Sequence, residues 1–448
     1  MKLIRSAMTI GGLTALSRVS GLARDILLAA FLGAGPLSDA FFVAFKLPNF
    51  FRRLFAEGAF NAAFVPLFAR LYEKEGLVRS LQSAEQILAG LICALLLLVV
   101  GFETFLPWLM HIIAPGFSAT PERFELAIHL TRIMFPYILL ISVAAFYTGL
   151  LNTVDHFWAG AATPILLNLF MIVALLLGQS TSFPMADSLA WGVMAAGAAQ
   201  LLWLVYASKS KGIVVHLKWP QFSAPVQHVL KAMIPGAIGA GVMQINLLVD
   251  VALASFLPTG AISFLFYADR LNQLPLGIVG IAMSTALLPL LSKHLQKGEV
   301  LQAQTIQNRA IEFALFLTLP AAMALMSLAP LIIGVIFERK AFHVYEVTQT
   351  AYVLAAFSTG LPAYVMVKIF STSFFARYDT RTPVIVGVVS MVSNVVMTLI
   401  LMGPFAHVGI AISTSLSAWI NLIGLAYMLK RRNLLKMDER LKQKLPRI

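Results

Sequence analysis

Apolar segments of about 20 residues recur along the whole chain and constrain its fold more than any other feature. A helix of that length spans the hydrocarbon core of a bilayer. Of the 448 residues, 59% are hydrophobic and 12% are charged, whereas soluble domains carry about 25% charged residues. We therefore expect an all-α integral membrane protein with about twelve spans, at 7–33, 38–69, 82–112, 124–151, 159–178, 187–207, 226–257, 263–292, 305–336, 346–375, 382–402 and 408–430.

The basic residues are distributed unevenly among the loops between these spans. The even-numbered loops and both chain ends hold most of the lysine and arginine, whereas the odd-numbered loops hold only Arg123, Arg339 and Lys340. Because cytoplasmic loops of membrane proteins are enriched in cations, this bias predicts that both termini are cytoplasmic. The net charge of +13 is then explained by topology, and no nucleic-acid partner is needed.

The two halves of the chain are weakly similar to each other. Residues 25–35 resemble 250–260, and residues 65–71 resemble 288–294. A hydrophilic break near 208–225 separates the halves, although chance similarity among apolar segments is an alternative. We predict a parallel pseudo-repeat of two six-helix lobes, a known plan among transporters. The expected divisions are an N-terminal lobe at 1–212, a cytoplasmic linker at 213–225, a C-terminal lobe at 226–432 and a basic cytoplasmic tail at 433–448.

Eight ionisable residues lie between positions 18 and 57, inside sequence that otherwise predicts two apolar helices. Charges at membrane depth cost a few kcal/mol each and usually face a bundle interior or a water-filled cavity. Five cations and three anions leave a surplus of two positive charges, which favours a central cationic cavity for an anionic ligand. The planar arginine fork suits phosphate oxygens. The predicted binding residues are Arg18, Arg24, Lys46, Arg52 and Arg53, together with Asp25, Asp39 and Glu57.

Helical spacing also allows these charges to neutralise one another. Arg18 and Asp25 are seven residues apart and share a helix face, as do Asp39 and Lys46. Glu57 follows Arg53 by four residues. Internal ion pairs that join the two helices, or arginines that extend to the membrane interface, are therefore the structural alternatives to a binding site.

The second half contributes two further groups of polar residues at membrane depth. Asp269 and Arg270 are adjacent, and we expect them to line the same cavity from the second lobe; a local structural pair is the alternative. Asp250 and Asn394 offer oxygen ligands for a monovalent cation, either sodium or a proton. Hydrogen bonding between helices is the more usual role of such residues.

The sequence contains no pattern that points to catalysis. There is no Gly-Lys dipeptide of a phosphate-binding loop, no His-Glu-x-x-His and no Gly-x-Ser-x-Gly. We expect a transporter without a cofactor rather than an enzyme. With no ATPase motif, an ion gradient or the membrane potential must drive it.

Several long motifs resemble the MurJ (MviN) family. They lie at 17–25, 39–49, 52–60, 114–117, 135–140, 267–270 and 382–383, and the resemblance runs from the N-terminus to about residue 432. Family members usually continue with two more helices, thought to form a groove for a lipid tail, whereas this sequence ends in the basic tail.

The resemblance implies a fold, a substrate and a location. The fold is that of the multidrug/oligosaccharidyl-lipid/polysaccharide exporter superfamily. The substrate is lipid II, the undecaprenyl-diphosphate-linked peptidoglycan precursor, flipped by alternating access across the bacterial inner membrane. The matching positions imply that Arg18, Arg24, Arg52 and Arg53 are cavity residues required for flipping. The implied partners are lipid II, membrane lipids and the cell-wall synthesis machinery, with the protein acting as a monomer in cell-wall biogenesis and cell shape.

Three other functions are weighed against this one. A drug or cation antiporter of the same fold would centre on carboxylates and aromatic residues rather than on arginines. An enzyme acting on the lipid carrier would need a convergent acid/base or metal cluster. A structural scaffold would leave the cavity charges unexplained.

Overall fold

The computed structural model describes residues 2–53, 60–221 and 223–444, and helices dominate them. They form two compact units, 1–256 and 257–448. The helices of the first unit are α1 (Lys2–Leu32), α2 (Pro36–Phe51), α3 (Asn61–Ile113), α4 (Pro121–Met134), α5 (Tyr137–Thr153), α6 (Trp158–Ser180), α7 (Met185–Ser210) and α8 (Ala224–Ser255). A 3₁₀ turn at Pro115–Ala119 joins α3 to α4.

The second unit has a similar order of helices. They are α9 (Ala261–Pro275), α10 (Ala282–Gln296), α11 (Val300–Ser327), α12 (Ala329–Phe337), α13 (Val344–Ser358), α14 (Leu361–Phe375), α15 (Arg381–Arg431) and α16 (Glu439–Lys444). A π-helical segment at Leu276–Ile281 makes α9 and α10 continuous. Within α15, Ala406 has φ of 46° and separates two helical stretches.

Among the described residues, eight helical stretches are long and apolar enough to cross a membrane. The number is smaller than twelve partly because kinked helices are continuous: α15 contains the two spans predicted at 382–402 and 408–430. Only 17% of the most apolar window of α15 is buried inside the protein. An apolar surface of this extent is compatible with lipid and not with water. The chain is therefore a multi-pass membrane protein; the count of twelve stays a prediction.

Helix ends recur at a nearly constant separation in the two units. Three pairs of residues with positive φ are 222, 223 and 221 residues apart; they are Gly76 with Gly298, Asp155 with Tyr378, and Gly212 with Asn433. In the last two pairs the next residue donates its N–H to the carbonyl five residues before it, the Schellman pattern of a helix C-terminus. This recurrence supports the predicted internal repeat.

The boundary between the compact units lies one helix after the predicted division between lobes. The predicted C-terminal lobe begins with α8, whereas in the structure α8 packs along α3 within the first unit. Near the start of α8, Val226 is 5% exposed, and a Cβ on Gly90 of α3 would lie 3.2 Å from its side chain. The predicted division follows the similarity between the two halves of the sequence. The structural division follows which helices pack together, so the two boundaries differ. The lobe boundaries themselves stay a prediction.

Candidate functional site

Two of the predicted binding residues form a buried ion pair in α1. Arg24 is 4% exposed and Asp25 is fully buried. The Arg24 Nη2 and Nε atoms donate to Asp25 Oδ1 at 2.6 and 3.0 Å. Adjacent residues on a helix point in different directions, but the long arginine side chain turns back to reach its neighbour. The alternative pairing of Asp25 with Arg18, seven residues away, is not what the structure shows; Arg18 is exposed.

An asparagine of α6 completes this buried cluster. Asn168 Oδ1 accepts from Arg24 Nη1 at 3.0 Å, and its Nδ2 donates to the Ser17 carbonyl and to Ser20 Oγ, each at 3.0 Å. A Cβ on Gly21 would lie 3.4 Å from Asn168 Nδ2, so this position of α1 lies beside the Asn168 side chain. The Arg24 guanidinium is therefore held inside the first unit.

A second buried ion pair contains Asp39, another predicted binding residue. Arg123 of α4 donates to Asp39 Oδ2 at 2.7 Å, and the two side chains are 6% and 0% exposed. The guanidinium carbon of Arg123 lies 3.9 Å from the ring centroid of Phe117, which adds a cation–π contact. The sequence placed Asp39 with Lys46 on one face of α2 and assigned Arg123 only to a loop. The structure thus joins α2 to α4 through a residue that the sequence had not singled out.

The remaining cations of the predicted set in the first unit have accessible side chains. Arg18 and Arg53 are exposed, and Lys46 and Arg52 are half-buried. Arg52 Nε donates to Asn49 Oδ1 at 3.3 Å, while Asn49 Nδ2 donates to the Phe45 carbonyl at 2.8 Å. The predicted residue Glu57 lies outside the described residues. The predicted set therefore divides into two buried ion pairs and a group of accessible cations.

In the second unit, Asp269 and Arg270 lie on α9 and are half-buried. Gln273 Nε2 donates to Asp269 Oδ2 at 2.5 Å. The guanidinium of Arg270 lies 5.9 Å from the ring centroid of Phe266. Each has a partner on its own helix, one turn away.

The two residues predicted for a monovalent cation belong to different units. Asn246 Nδ2 donates to Asp250 Oδ2 at 3.4 Å in α8, and Asn394 is 1% exposed in α15. Within the described ranges, no three His, Cys, Asp or Glu side chains are grouped as metal ligands. A cation site at Asp250 and Asn394 stays a prediction.

Comparison with known proteins shows which family the chain belongs to. Residues 28–447 match the family model described as lipid II flippase MurJ. The chain belongs to this family. It is 43% identical over 436 residues to a probable lipid II flippase MurJ of Rhizobium tropici, covering 96% of this chain and 82% of that relative. MurJ proteins are transporters, so the expectation of a non-enzymatic function is confirmed at the level of the family.

Solved structures agree with the MurJ assignment. A lipid II flippase MurJ in an inward closed conformation has a TM-score of 0.83 at 28% identity, over 98% of this chain and 89% of that protein. An inward-facing multidrug resistance MATE transporter of the MOP superfamily has a TM-score of 0.76 at 16% identity, over 98% of this chain and 99% of the transporter. The second similarity concerns the fold alone. The predicted superfamily fold is confirmed.

Proposed function

We propose that this chain flips lipid II from the cytoplasmic to the periplasmic leaflet by alternating access. The observation that carries the proposal is the family match across residues 28–447. The accessible cations of the first unit support it, because the negative charge of a lipid diphosphate must be stabilised by cations once its headgroup leaves water. Their acceptors would be the diphosphate oxygens, to which an arginine fork can donate two parallel hydrogen bonds.

We propose two different roles for the predicted residues, based on their contacts and exposure in the first unit. We assign headgroup binding to Arg18, Lys46, Arg52 and Arg53, whose side chains are exposed or half-buried. The Arg24–Asp25 and Arg123–Asp39 pairs instead hold α1, α2, α4 and α6 in place around them. Asp269 and Arg270 are proposed to contact the headgroup from the second unit.

The transport cycle needs a source of free energy outside the chain. A substrate can move the protein between two conformations only through different affinities for them. We propose that a sodium or proton gradient, or the membrane potential, supplies the bias; the potential is worth about 2.3 kcal/mol per charge per 100 mV. Asp250 and Asn394 are the proposed ligands if the driving ion binds directly.

The proposed location is the bacterial inner membrane, with both termini in the cytoplasm. The uneven distribution of cations among the loops supports this orientation. The chain would act there as a monomer alongside the cell-wall synthesis machinery, delivering the peptidoglycan precursor to the periplasmic face.

The proposal is tested by complementation of a flippase-depleted bacterium, with accessibility of lipid II at the periplasmic face as the readout. We expect the wild-type chain to restore exposure and Arg52→Ala with Arg53→Ala to abolish it at normal membrane abundance. Lys209→Ala, which removes an exposed cation from the last turn of α7, is the matched control and should be silent. Restored exposure by the arginine variants would contradict the assignment of headgroup binding, and failure of the wild-type chain would contradict the function itself.

A further inference from the structure

A short extended segment follows α7 and lies against α3. We call residues 213–218 the strap. Helix α7 ends in a turn at Gly212, whose φ is 73°, and the Ile213 N–H donates to the Ser208 carbonyl at 3.1 Å. Ser208 Oγ in turn donates to the Ile213 carbonyl at 2.7 Å. Because Ile213 is 1% exposed, the first residue of the strap is anchored by the turn and by burial.

The strap is held farther along by one buried carboxylate. Glu85 of α3 is 5% exposed. Its Oε1 accepts from the His216 backbone N–H at 2.9 Å and lies 3.1 Å from His216 Nδ1, while its Oε2 lies 2.7 Å from Lys218 Nζ. Leaving a buried carboxylate without its hydrogen-bond partners costs free energy, because the group stays desolvated. Glu85 therefore contacts the backbone of the strap at His216 and the side chains of His216 and Lys218.

The second unit repeats this arrangement with a different side chain. After the turn at Asn433, whose φ is 56°, the chain returns along α11. Asn308 Nδ2 donates to the Lys436 carbonyl at 2.9 Å. Asn308 follows Glu85 by 223 residues, the separation that also relates Asp155 to Tyr378. An arrangement found at corresponding positions of both repeats is a feature of the fold rather than a local accident.

The attachment at Glu85 limits the length of free chain between α7 and α8. With Lys218 held, five residues (219–223) connect the strap to Ala224, where α8 begins. Without Glu85 the free segment would run from 214 to 223, which is ten residues. The maximum reach then rises from about 17 Å to about 34 Å at roughly 3.4 Å per residue.

We infer that Glu85 is a positioning residue for transport, an inference that rests on the proposed flippase function. Helix α8 packs along α3 through its own side chains, and by pinning the strap Glu85 limits how far the start of α8 can move from α3. Doubling a free loop costs about 0.6 kcal/mol of closure entropy, which corresponds to about a threefold change in an equilibrium or rate. Removal of the pin should therefore slow flipping about threefold and leave lipid II affinity unchanged.

The experiment measures the initial rate of lipid II exposure together with the mobility of a nitroxide at the exposed position Leu217. Glu85→Ala is expected to slow exposure about threefold, leave the half-saturating lipid II concentration unchanged and release the spin label. Glu85→Gln, which keeps an acceptor for the His216 N–H, should be intermediate. Glu75→Ala removes an exposed carboxylate from the same helix and is the matched control.

A covalent substitute for the pin distinguishes positioning from general stability. Glu85→Cys with His216→Cys, in a Cys93→Ala background, is joined by a short bis-methanethiosulfonate reagent, which forms a disulfide with each cysteine and releases methanesulfinate. We expect the cross-link to restore the wild-type rate that the reduced double variant lacks. A wild-type rate for Glu85→Ala with a mobile label, or a cross-linked protein slower than the reduced one, would overturn the inference. Absence of lipid II exposure by the wild-type chain would instead refute the proposed function, while the spin label would still report whether Glu85 holds the strap.

Discussion

Replacement of Arg24 by alanine should destabilise the first unit much more than replacement of Arg53. The Arg24→Ala change removes two hydrogen bonds to the buried Asp25 carboxylate and one to Asn168 Oδ1. Removing one partner of a buried ion pair typically costs about 3–5 kcal/mol, because the other charge stays desolvated. Arg53 is exposed, and an exposed cation contributes about 0–1 kcal/mol.

The assay is thermal unfolding of the purified protein in lipid nanodiscs, followed by intrinsic fluorescence. For a unit of about 250 residues, about 4 kcal/mol corresponds to a fall in Tm of roughly 10 °C. Arg53→Ala should change Tm little and yet lose flipping. The double variant Arg24→Leu/Asp25→Leu should recover much of the lost Tm, since replacing a buried ion pair by apolar side chains of similar volume is often neutral or stabilising.

One result would refute this reasoning. If Arg24→Ala keeps the wild-type Tm and abundance but loses lipid II exposure, then Arg24 contacts the headgroup during transport and the buried pair is not its main role. If the double variant is less stable than Arg24→Ala alone, the cost lies in contacts other than the ion pair.

Two further predictions concern a close approach and a loop. A Cβ on Gly116 would lie 2.3 Å from the Ser255 carbonyl oxygen, so Gly116→Ala should lower Tm or abundance markedly. Gly101→Ala is the control, because a Cβ there meets open space, and it should not lower either. Equal Tm values for the two variants would contradict the packing at Gly116. In the loop before α15, the Thr382 N–H, the Thr382 hydroxyl and Arg432 lower the pKa of Asp379 to about 2. A carboxyl with a folded-state pKa below its ordinary value of 3.8 stabilises the fold above about pH 4 and loses that contribution as pH falls towards 2. Asp379→Asn should therefore flatten the acid dependence of unfolding in this window, and an unchanged acid profile would show that the contacts are absent in solution.

The sequence determined the class of fold and the chemistry of the ligand-binding candidates. Apolar runs long enough to span a bilayer leave few alternatives to membrane helices, and weak similarity at 25–35 and 250–260 was enough to predict the internal repeat. The cationic surplus between Arg18 and Glu57 likewise follows from residue identity alone. Charge at membrane depth is costly, so its presence there indicates a structural or binding role.

Tertiary structure alone decided which charges are buried in ion pairs and which side chains are accessible. Periodicity along one helix placed Arg18 with Asp25 and Asp39 with Lys46, but partners from other helices are invisible to it. Arg123, 84 residues from Asp39, and Asn168, 144 residues from Arg24, complete the buried clusters. A hydrogen bond depends on positions and directions of atoms to within tenths of an ångström, whereas helical spacing fixes only the face on which a side chain starts. For that reason the sequence identified the charged residues, and only the packing of α1, α2, α4 and α6 separated the buried ion pairs from the accessible cations.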